Sequence, residues 1–169
     1  KASALALLRH PEINVSFTGE AIRRYEQIDI GVAVGMEDGL IAPVIRNCEA
    51  KTLVEISAET KALIERARQK RLQPNEYTGA TFAISNLGMF DVDNFIALLM
   101  PPQAASIAVG AIRDVPVVTK GTVTVGRRMK VTLSCDHRAL DGLMGAQFLK
   151  EFKRVLEHPQ ELVAPAVKS

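Results

Sequence analysis

Residues 123–142 read VTVGRRMKVTLSCDHRALDG and contain the longest strand pattern in the chain. Apolar side chains occupy most odd positions up to Cys135 and polar side chains lie between them, which is the two-residue period of a β-strand. The segment DHRALDG follows at once, and Asp141 is a residue type that caps helices. A stripe of apolar residues at helical spacing then continues to about residue 157. This strand, loop and helix predict an α/β fold.

The rest of the chain also divides into strands and helices of ordinary length. We predict helices at 2–8 and 52–68, strands at 13–17, 28–36, 40–45, 81–85 and 104–112, and a hairpin at 115–125. A capping box of Thr52 and Glu55 begins the second helix. An Asp38-Gly39 turn joins two strands, and Pro43 in the second of them predicts a position at a sheet edge or a bulge. We interpret residues 1–169 as one domain, and we expect a further N-terminal segment because Ala2 opens a helix without a cap.

The composition excludes several classes of protein. Of the 169 residues, 47% are hydrophobic and 24% are charged, which excludes a disordered or collagen-like chain. A net charge of +2 predicts neither nucleic acid nor a membrane surface as partner. Pro101-Pro102 interrupts the longest uncharged stretch, which argues against a membrane helix. Cys48 and Cys135 form no CxxC pair, so we expect free thiols in a reducing compartment.

Three side chains are candidates for chemistry. His137 ends the long strand, where a general base at a pocket and a buried, hydrogen-bonded structural histidine are equally good interpretations. Asp141 fits a helix N-cap better than a catalytic carboxylate, and Ser85 can be a mere turn residue at a strand end. The sequence has no phosphate-binding loop, which argues against a nucleotide-driven enzyme, and Ser85 lies in no serine-hydrolase elbow. No ligand pair has zinc spacing, so we expect no metal site.

Four segments, in the same order, resemble the dihydrolipoamide acyltransferases of 2-oxo acid dehydrogenase complexes. Residues 136–142 (DHRALDG) match the DHRxxDG signature of that family, and residues 38–45 (DGLIAPVI) look like its GLIxPV strand. Residues 79–90 (GATFAISNLGMF) and 101–110 (PPQAASIAVG) are similar to two further family segments. Within the family, SNLGMF together with PPQAA is most similar to the acetyl-transferring subunits of pyruvate dehydrogenase complexes.

The resemblance implies both a fold and a reaction. The fold is chloramphenicol-acetyltransferase-like, a two-layer sandwich in which helices back a mixed sheet. The reaction moves an acyl group from S-acyldihydrolipoamide to coenzyme A, with His137 as general base and Ser85 as donor to the oxyanion. Asp141 corresponds to a family residue that shapes the loop by pairing with an arginine of the N-terminal segment. The positions that match the coenzyme A channel are Ser85, Asn86, Gly110 and Ile112.

The resemblance also implies partners and a compartment. We expect a homotrimer with active sites between subunits, able to build a larger cage, in the bacterial cytoplasm or the mitochondrial matrix. We expect the lipoyl group to be carried on an upstream domain outside this chain. The decarboxylase and dihydrolipoamide dehydrogenase components are the other expected partners, with neither nucleic acid nor membrane among them.

Three alternatives remain open at this point. They are a non-catalytic scaffold subunit that resembles the acyltransferases, an acetoin-type or branched-chain acyltransferase, and a free-standing antibiotic acetyltransferase. The joint presence of His137, Ser85 and Asp141 favours an enzyme, because a scaffold has no chemical need for all three. The segments SNLGMF and PPQAA favour the complex-bound family over the antibiotic acetyltransferases.

Overall fold

A computed structural model describes residues 1–37 and 39–163, so the predicted Asp38-Gly39 turn lies partly outside the described residues. Helices in this part of the chain are α1 (Ala2–Arg9), α2 (Leu53–Arg68), α3 (Gly142–Glu157) and α4 (Gln160–Val163). Strands are β1 (Val15–Phe17), β2 (Ile22–Arg24), β3 (Ile30–Val32), β4 (Val34–Met36), β5 (Gly39–Ile41), β6 (Val44–Ile45), β7 (Phe82–Asn86), β8 (Ala105–Thr119) and β9 (Thr122–Cys135). None of the described helices is long and apolar enough to cross a membrane.

The central sheet has five strands in the order β6-β3-β7-β8-β9. β3, β7 and β8 are parallel, whereas β6 and β9 lie antiparallel at the two edges. Lys120 and Gly121 both have positive φ, which is the turn geometry that joins twisted antiparallel strands in a two-residue hairpin. The predicted hairpin is therefore confirmed. The strands β1 and β2, and likewise β4 and β5, form separate two-stranded sheets.

Helices α1 and α3 pack on one face of the central sheet, and the main core lies between them and the sheet. Phe82 of β7 is fully buried, and its ring centroid lies 5.6 Å from that of Phe148 in α3. Ala4 and Ala6 of α1 are also fully buried. Removing this apolar surface from water is the main source of stability for the helical face.

The opposite face of the sheet carries small and hydroxyl-bearing side chains. They are Ala83 and Ser85 of β7, Ser106 and Ala108 of β8, and Thr132 and Ser134 of β9. Residues 91–103 cross this face, where Thr132 donates a hydrogen bond to the Asn94 side chain (2.7 Å) and Ser134 donates one to the Ala97 carbonyl oxygen (2.6 Å). We call this surface the small-residue face.

Two predicted strands are each divided in the structure. The strand predicted at 28–36 is wrong as one element, because β3 pairs with β6 and β7, whereas β4, which follows Ala33, pairs with β5. The strand predicted at 40–45 divides at Pro43, and β6 lies at the sheet edge as the proline predicted. The capping box of Thr52 and Glu55 is confirmed by its reciprocal hydrogen bonds.

Candidate active site

Ser85 lies near the C-terminal end of β7 on the small-residue face. It is paired with Ala108 of β8, which is paired in turn with Thr132 of β9. Ser85 is half-buried, and its hydroxyl forms no hydrogen bond with any residue that the structure describes. A donor in this position is free to bind a group outside the described chain.

Asn86 follows Ser85 at the end of β7 and begins a tight turn. Its side-chain oxygen accepts a hydrogen bond from the Gly88 amide (2.9 Å), while the residue itself is exposed. Its nitrogen donors point away from that bond and stay open to solvent or ligand. The predicted coenzyme A contact of Asn86 is compatible with this exposure and stays a prediction.

Gly110 is buried beneath the chain that follows this turn. A Cβ atom at position 110 would come within 2.2 Å of the Asp93 carbonyl oxygen, and one at Gly88 would come within 2.7 Å of the Gly110 carbonyl oxygen. Only glycine permits these backbones to approach so closely. Packing therefore accounts for the glycine at position 110, and its predicted contact with coenzyme A stays a prediction.

His137 lies two residues beyond the end of β9 in an exposed turn. The amides of Ala139 and Leu140 both donate to the Asp136 carbonyl oxygen at 3.0 Å, which closes the turn around His137. The imidazole forms no hydrogen bond with any described residue. The interpretation of His137 as a buried structural histidine is therefore wrong, and an imidazole accessible for proton transfer is what the structure presents.

Two charged side chains flank His137, and the sequence patterns did not single them out. The Arg138 guanidinium donates to both carboxylate oxygens of Asp136, with Nε–Oδ1 at 2.9 Å and Nη2–Oδ2 at 2.7 Å. These bonds, followed by one from the Arg138 amide, lower the pKa of Asp136 to about 2. The signal was present in the letters DHR, which place an acid and a base on either side of the histidine.

Asp141 is the N-cap of α3. Its carboxylate accepts a hydrogen bond from the Met144 amide (2.8 Å), which satisfies one of the unpaired donors at the start of the helix. The interpretation of Asp141 as a helix cap is confirmed. Its pairing with an arginine from outside residues 1–169 stays a prediction.

Ser85 and His137 lie at opposite ends of the same sheet region. The β9 residue in the row of Ser85 is Thr132, and Cys135 at the end of β9 lies three residues further on. Three residues span about 10 Å along a strand, and two strand spacings add about 10 Å across the sheet. His137 lies beyond that end, so its imidazole and the Ser85 hydroxyl do not meet within one chain.

Ile112 does not share a surface with Ser85 and Asn86. A bulge follows Val109 on β8, and Ile112 is paired with Met129 on the helical face of the sheet. There it lines a cavity of about 720 Å³ between β9 and α3, together with apolar residues such as Phe152. The four predicted coenzyme A contacts are therefore not brought together in one chain.

Metal-ligating side chains are not clustered in the described part of the chain. No group of three or more histidine, cysteine, aspartate or glutamate side chains there could hold a metal ion. Cys48 and Cys135 are free thiols, and burial raises the pKa of Cys48 to about 11, so this thiol is protonated and unreactive at neutral pH.

Comparison with known sequences gives one family. The family described as "2-oxoacid dehydrogenases acyltransferase (catalytic domain)" matches residues 1–164. The dihydrolipoyllysine-residue acetyltransferase component of the pyruvate dehydrogenase complex from Rickettsia bellii is 45% identical over 158 residues, and the mitochondrial one from Schizosaccharomyces pombe is 48% identical over 167 residues. These alignments cover 94% and 96% of this chain but only 38% and 34% of the relatives.

Comparison with solved structures agrees with this family match. The dihydrolipoamide acetyltransferase of Azotobacter vinelandii superimposes with a TM-score of 0.91 at 33% identity, over 96% of this chain and 68% of that one. The cubic core of a pyruvate dehydrogenase multienzyme complex also gives 0.91, at 34% identity over the same shares. A chloramphenicol acetyltransferase gives 0.55 at 16% identity, over 92% of this chain and 76% of that one. The predicted fold class, a mixed sheet backed by helices as in chloramphenicol acetyltransferase, is confirmed.

Proposed function

The chain belongs to the 2-oxoacid dehydrogenase acyltransferase family, and we propose that it transfers an acetyl group from S-acetyldihydrolipoamide to coenzyme A. Relatives at about 45% identity are named as the acetyltransferase component of the pyruvate dehydrogenase complex. Residues 1–169 form the greater part of the catalytic domain in this proposal, since they correspond to 68% of the solved A. vinelandii chain.

The proposal rests on the spacing along the sequence between Ser85, His137 and Asp141. In the A. vinelandii enzyme, a serine, a histidine and an asparagine were investigated for their role in the catalytic mechanism. The serine lies 52 positions before the histidine, and the asparagine lies four positions after it. Ser85 and Asp141 stand at the same distances from His137. This match supports His137 and Ser85 as catalytic residues. The third position differs, because an aspartate that caps α3 stands where that enzyme has asparagine.

Thioester exchange needs a base and an oxyanion donor. Coenzyme A attacks the acetyl carbonyl carbon through its thiol, which has an ordinary pKa of about 8.5 and is mostly protonated at neutral pH. His137 takes that proton as the new carbon–sulfur bond forms, and the free Ser85 hydroxyl donates to the tetrahedral oxyanion. When the carbon–sulfur bond to dihydrolipoamide breaks, the protonated imidazole returns its proton to the leaving sulfur. One thioester replaces another, so no nucleotide is required.

The active site in this proposal lies between two copies of the chain. Ser85 and His137 are too far apart within one chain, so the Ser85 of one copy must face the His137 of another. Large apolar side chains are exposed around the small-residue face, namely Met89, Phe90, Ile96 and Leu98 at 71–87% exposure. Exposed apolar surface of this kind is typical of subunit interfaces, and it supports a homotrimer with its sites at the boundaries.

The relatives also support a proposal for the wider assembly. One similar structure is the cubic core of a pyruvate dehydrogenase multienzyme complex, so we propose that trimers of this protein assemble into a larger cage. The lipoyl group then arrives on another domain, and the decarboxylase and dihydrolipoamide dehydrogenase components bind the same core. Relatives are bacterial and mitochondrial, which supports the bacterial cytoplasm or the mitochondrial matrix as the compartment.

Replacing His137 tests the proposed reaction. In the full-length protein, His137→Ala should lower the rate of acetyl transfer from S-acetyldihydrolipoamide to coenzyme A by at least about a hundredfold, the usual contribution of a general base. Trimer formation, followed by light scattering, should be unchanged because the exposed apolar residues of the proposed interface, such as Phe90 and Leu98, are not altered. His158→Ala at the end of α3 is the matched control and should keep full activity. Near-normal transfer by the His137→Ala protein would exclude this mechanism, and no transfer by the wild type would favour the scaffold alternative.

A further inference from the structure

We propose that Arg138 is a positioning residue that fixes the turn carrying His137, acting together with Asp136 and Phe17. We call these three residues the Arg138 clamp. The inference rests on the proposed function for its kinetic consequence, but the fixed turn itself is a property of the fold.

The clamp consists of two interactions on either side of one guanidinium. Arg138 contacts both oxygens of Asp136 through Nε and Nη2, and its backbone amide also donates to Asp136 Oδ1 (3.1 Å). On the other side, its Cζ atom lies 4.6 Å from the centre of the Phe17 ring. His137 is the residue enclosed between Asp136 and Arg138, so both of its peptide neighbours are fixed.

One end of the clamp is attached to the central sheet and the other to β1. The Asp136 amide donates to the Ala104 carbonyl oxygen (2.8 Å), immediately before β8. Phe17 belongs to β1, and Ala104 in turn donates to the carbonyl oxygen of Val15 in the same strand (3.1 Å). The clamp therefore closes a ring of contacts from β9 through the His137 turn to β1 and back to the start of β8.

Stability alone does not account for this arrangement. The Arg138 side chain is 67% exposed, and exposed ion pairs contribute little to the free energy of unfolding. The geometry is nevertheless specific, because a planar guanidinium can contact two carboxylate oxygens while its face lies on an aromatic ring. A lysine in the same place keeps the charge but has neither the two-pronged contact nor the planar face. The clamp is thus suited to orientation, which a general base requires.

Arg138→Lys in the full-length protein tests the clamp. We expect kcat for acetyl transfer to fall at least about tenfold, because a poorly oriented base loses most of its advantage in the transition state. KM for coenzyme A and the melting temperature should stay close to wild type. Arg127→Lys is the matched control, since Arg127 is exposed and its only ionic contact among the described residues is with Asp114 at 3.9 Å.

Position 17 provides a second pair of variants. Phe17→Tyr keeps the aromatic face beneath the guanidinium and should retain kcat, whereas Phe17→Leu keeps an apolar side chain without that face and should lower kcat. Hydrogen exchange of the peptide covering residues 136–141 gives a readout that needs no catalysis. Its amides should exchange at least about tenfold faster in Arg138→Lys and Phe17→Leu, because the turn opens locally more often.

The outcomes separate the clamp from the proposed function. If the wild type transfers no acetyl group but exchange in residues 136–141 still rises in both variants, the proposed reaction fails and the fixed turn stands. The clamp is overturned if Arg138→Lys keeps kcat within twofold of wild type with unchanged exchange. It is also overturned if activity and melting temperature fall together, since that result would make Arg138 a residue of general stability.

Discussion

Two serines on the small-residue face show how residue type alone leaves a role undecided. Ser85 is half-buried with a free hydroxyl near the end of β7, whereas Ser106 is 2% exposed and its hydroxyl has no partner among the described residues. Both are serines in parallel strands with small neighbours. Accessibility to a second molecule distinguishes them, and that property depends on the strand position and not on the local sequence.

Ser85→Ala in the full-length protein should lower kcat for acetyl transfer by about a hundredfold while KM for coenzyme A stays close to wild type. One oxyanion donor acts in the transition state and hardly at all in ground-state binding, which is the basis for this split. Steady-state kinetics measures both constants.

Ser106→Ala is the matched control for that change. Its hydroxyl is buried without a hydrogen bond among the described residues, so removing it should leave kcat unchanged and the melting temperature equal or slightly higher. A lowered melting temperature with unchanged kcat in Ser85→Ala would return Ser85 to the role of a turn residue.

At the scale of strands and helices, local patterns in the sequence were sufficient to predict helix caps but not where a strand changes its partners. The Thr52–Glu55 capping box and the Asp141 cap were predictable because each is formed by residues three apart. The break at Ala33 was not predictable, since the two-residue apolar period continues through Val32 and Val34 while the backbone changes partners. Periodicity records which side chains are apolar, but the partner strand is chosen by tertiary packing.

Gly110→Ala should destabilise the protein, because the added Cβ would lie 2.2 Å from the Asp93 carbonyl oxygen. Overpacking of this kind typically costs about 1–3 kcal/mol, which lowers the melting temperature by several degrees in a domain of this size. Gly35→Ala makes the same change in β4, where no atom lies within 4 Å of the added Cβ, and should leave the melting temperature nearly unchanged. Equal melting temperatures for the two variants would contradict the packing explanation for Gly110.

For the whole molecule, the residues alone made Ser85 and His137 candidates for catalysis but did not show where the two lie relative to each other. Ser85 and His137 both end strands, and a single sequence does not say whether those ends lie at the same edge of the sheet. The parallel pairing of β7 with β8 and the antiparallel pairing of β8 with β9 place them at opposite ends. In the proposed function the active site therefore needs a second copy, as the resemblance implied, and the separation of Ser85 and His137 within one chain is the physical reason.

Complementation between two inactive trimers tests this account most directly. Full-length His137→Ala and Ser85→Ala proteins are dissociated, mixed and reassociated, and mixed trimers are verified by native mass spectrometry. At some boundaries the intact Ser85 of one chain then faces the intact His137 of the other, so acetyl transfer should rise well above both parents. Mixing His137→Ala with the double variant is the control and should restore nothing, because no chain supplies a histidine. If verified mixed trimers never exceed their parents, the site lies within single chains and the account is wrong.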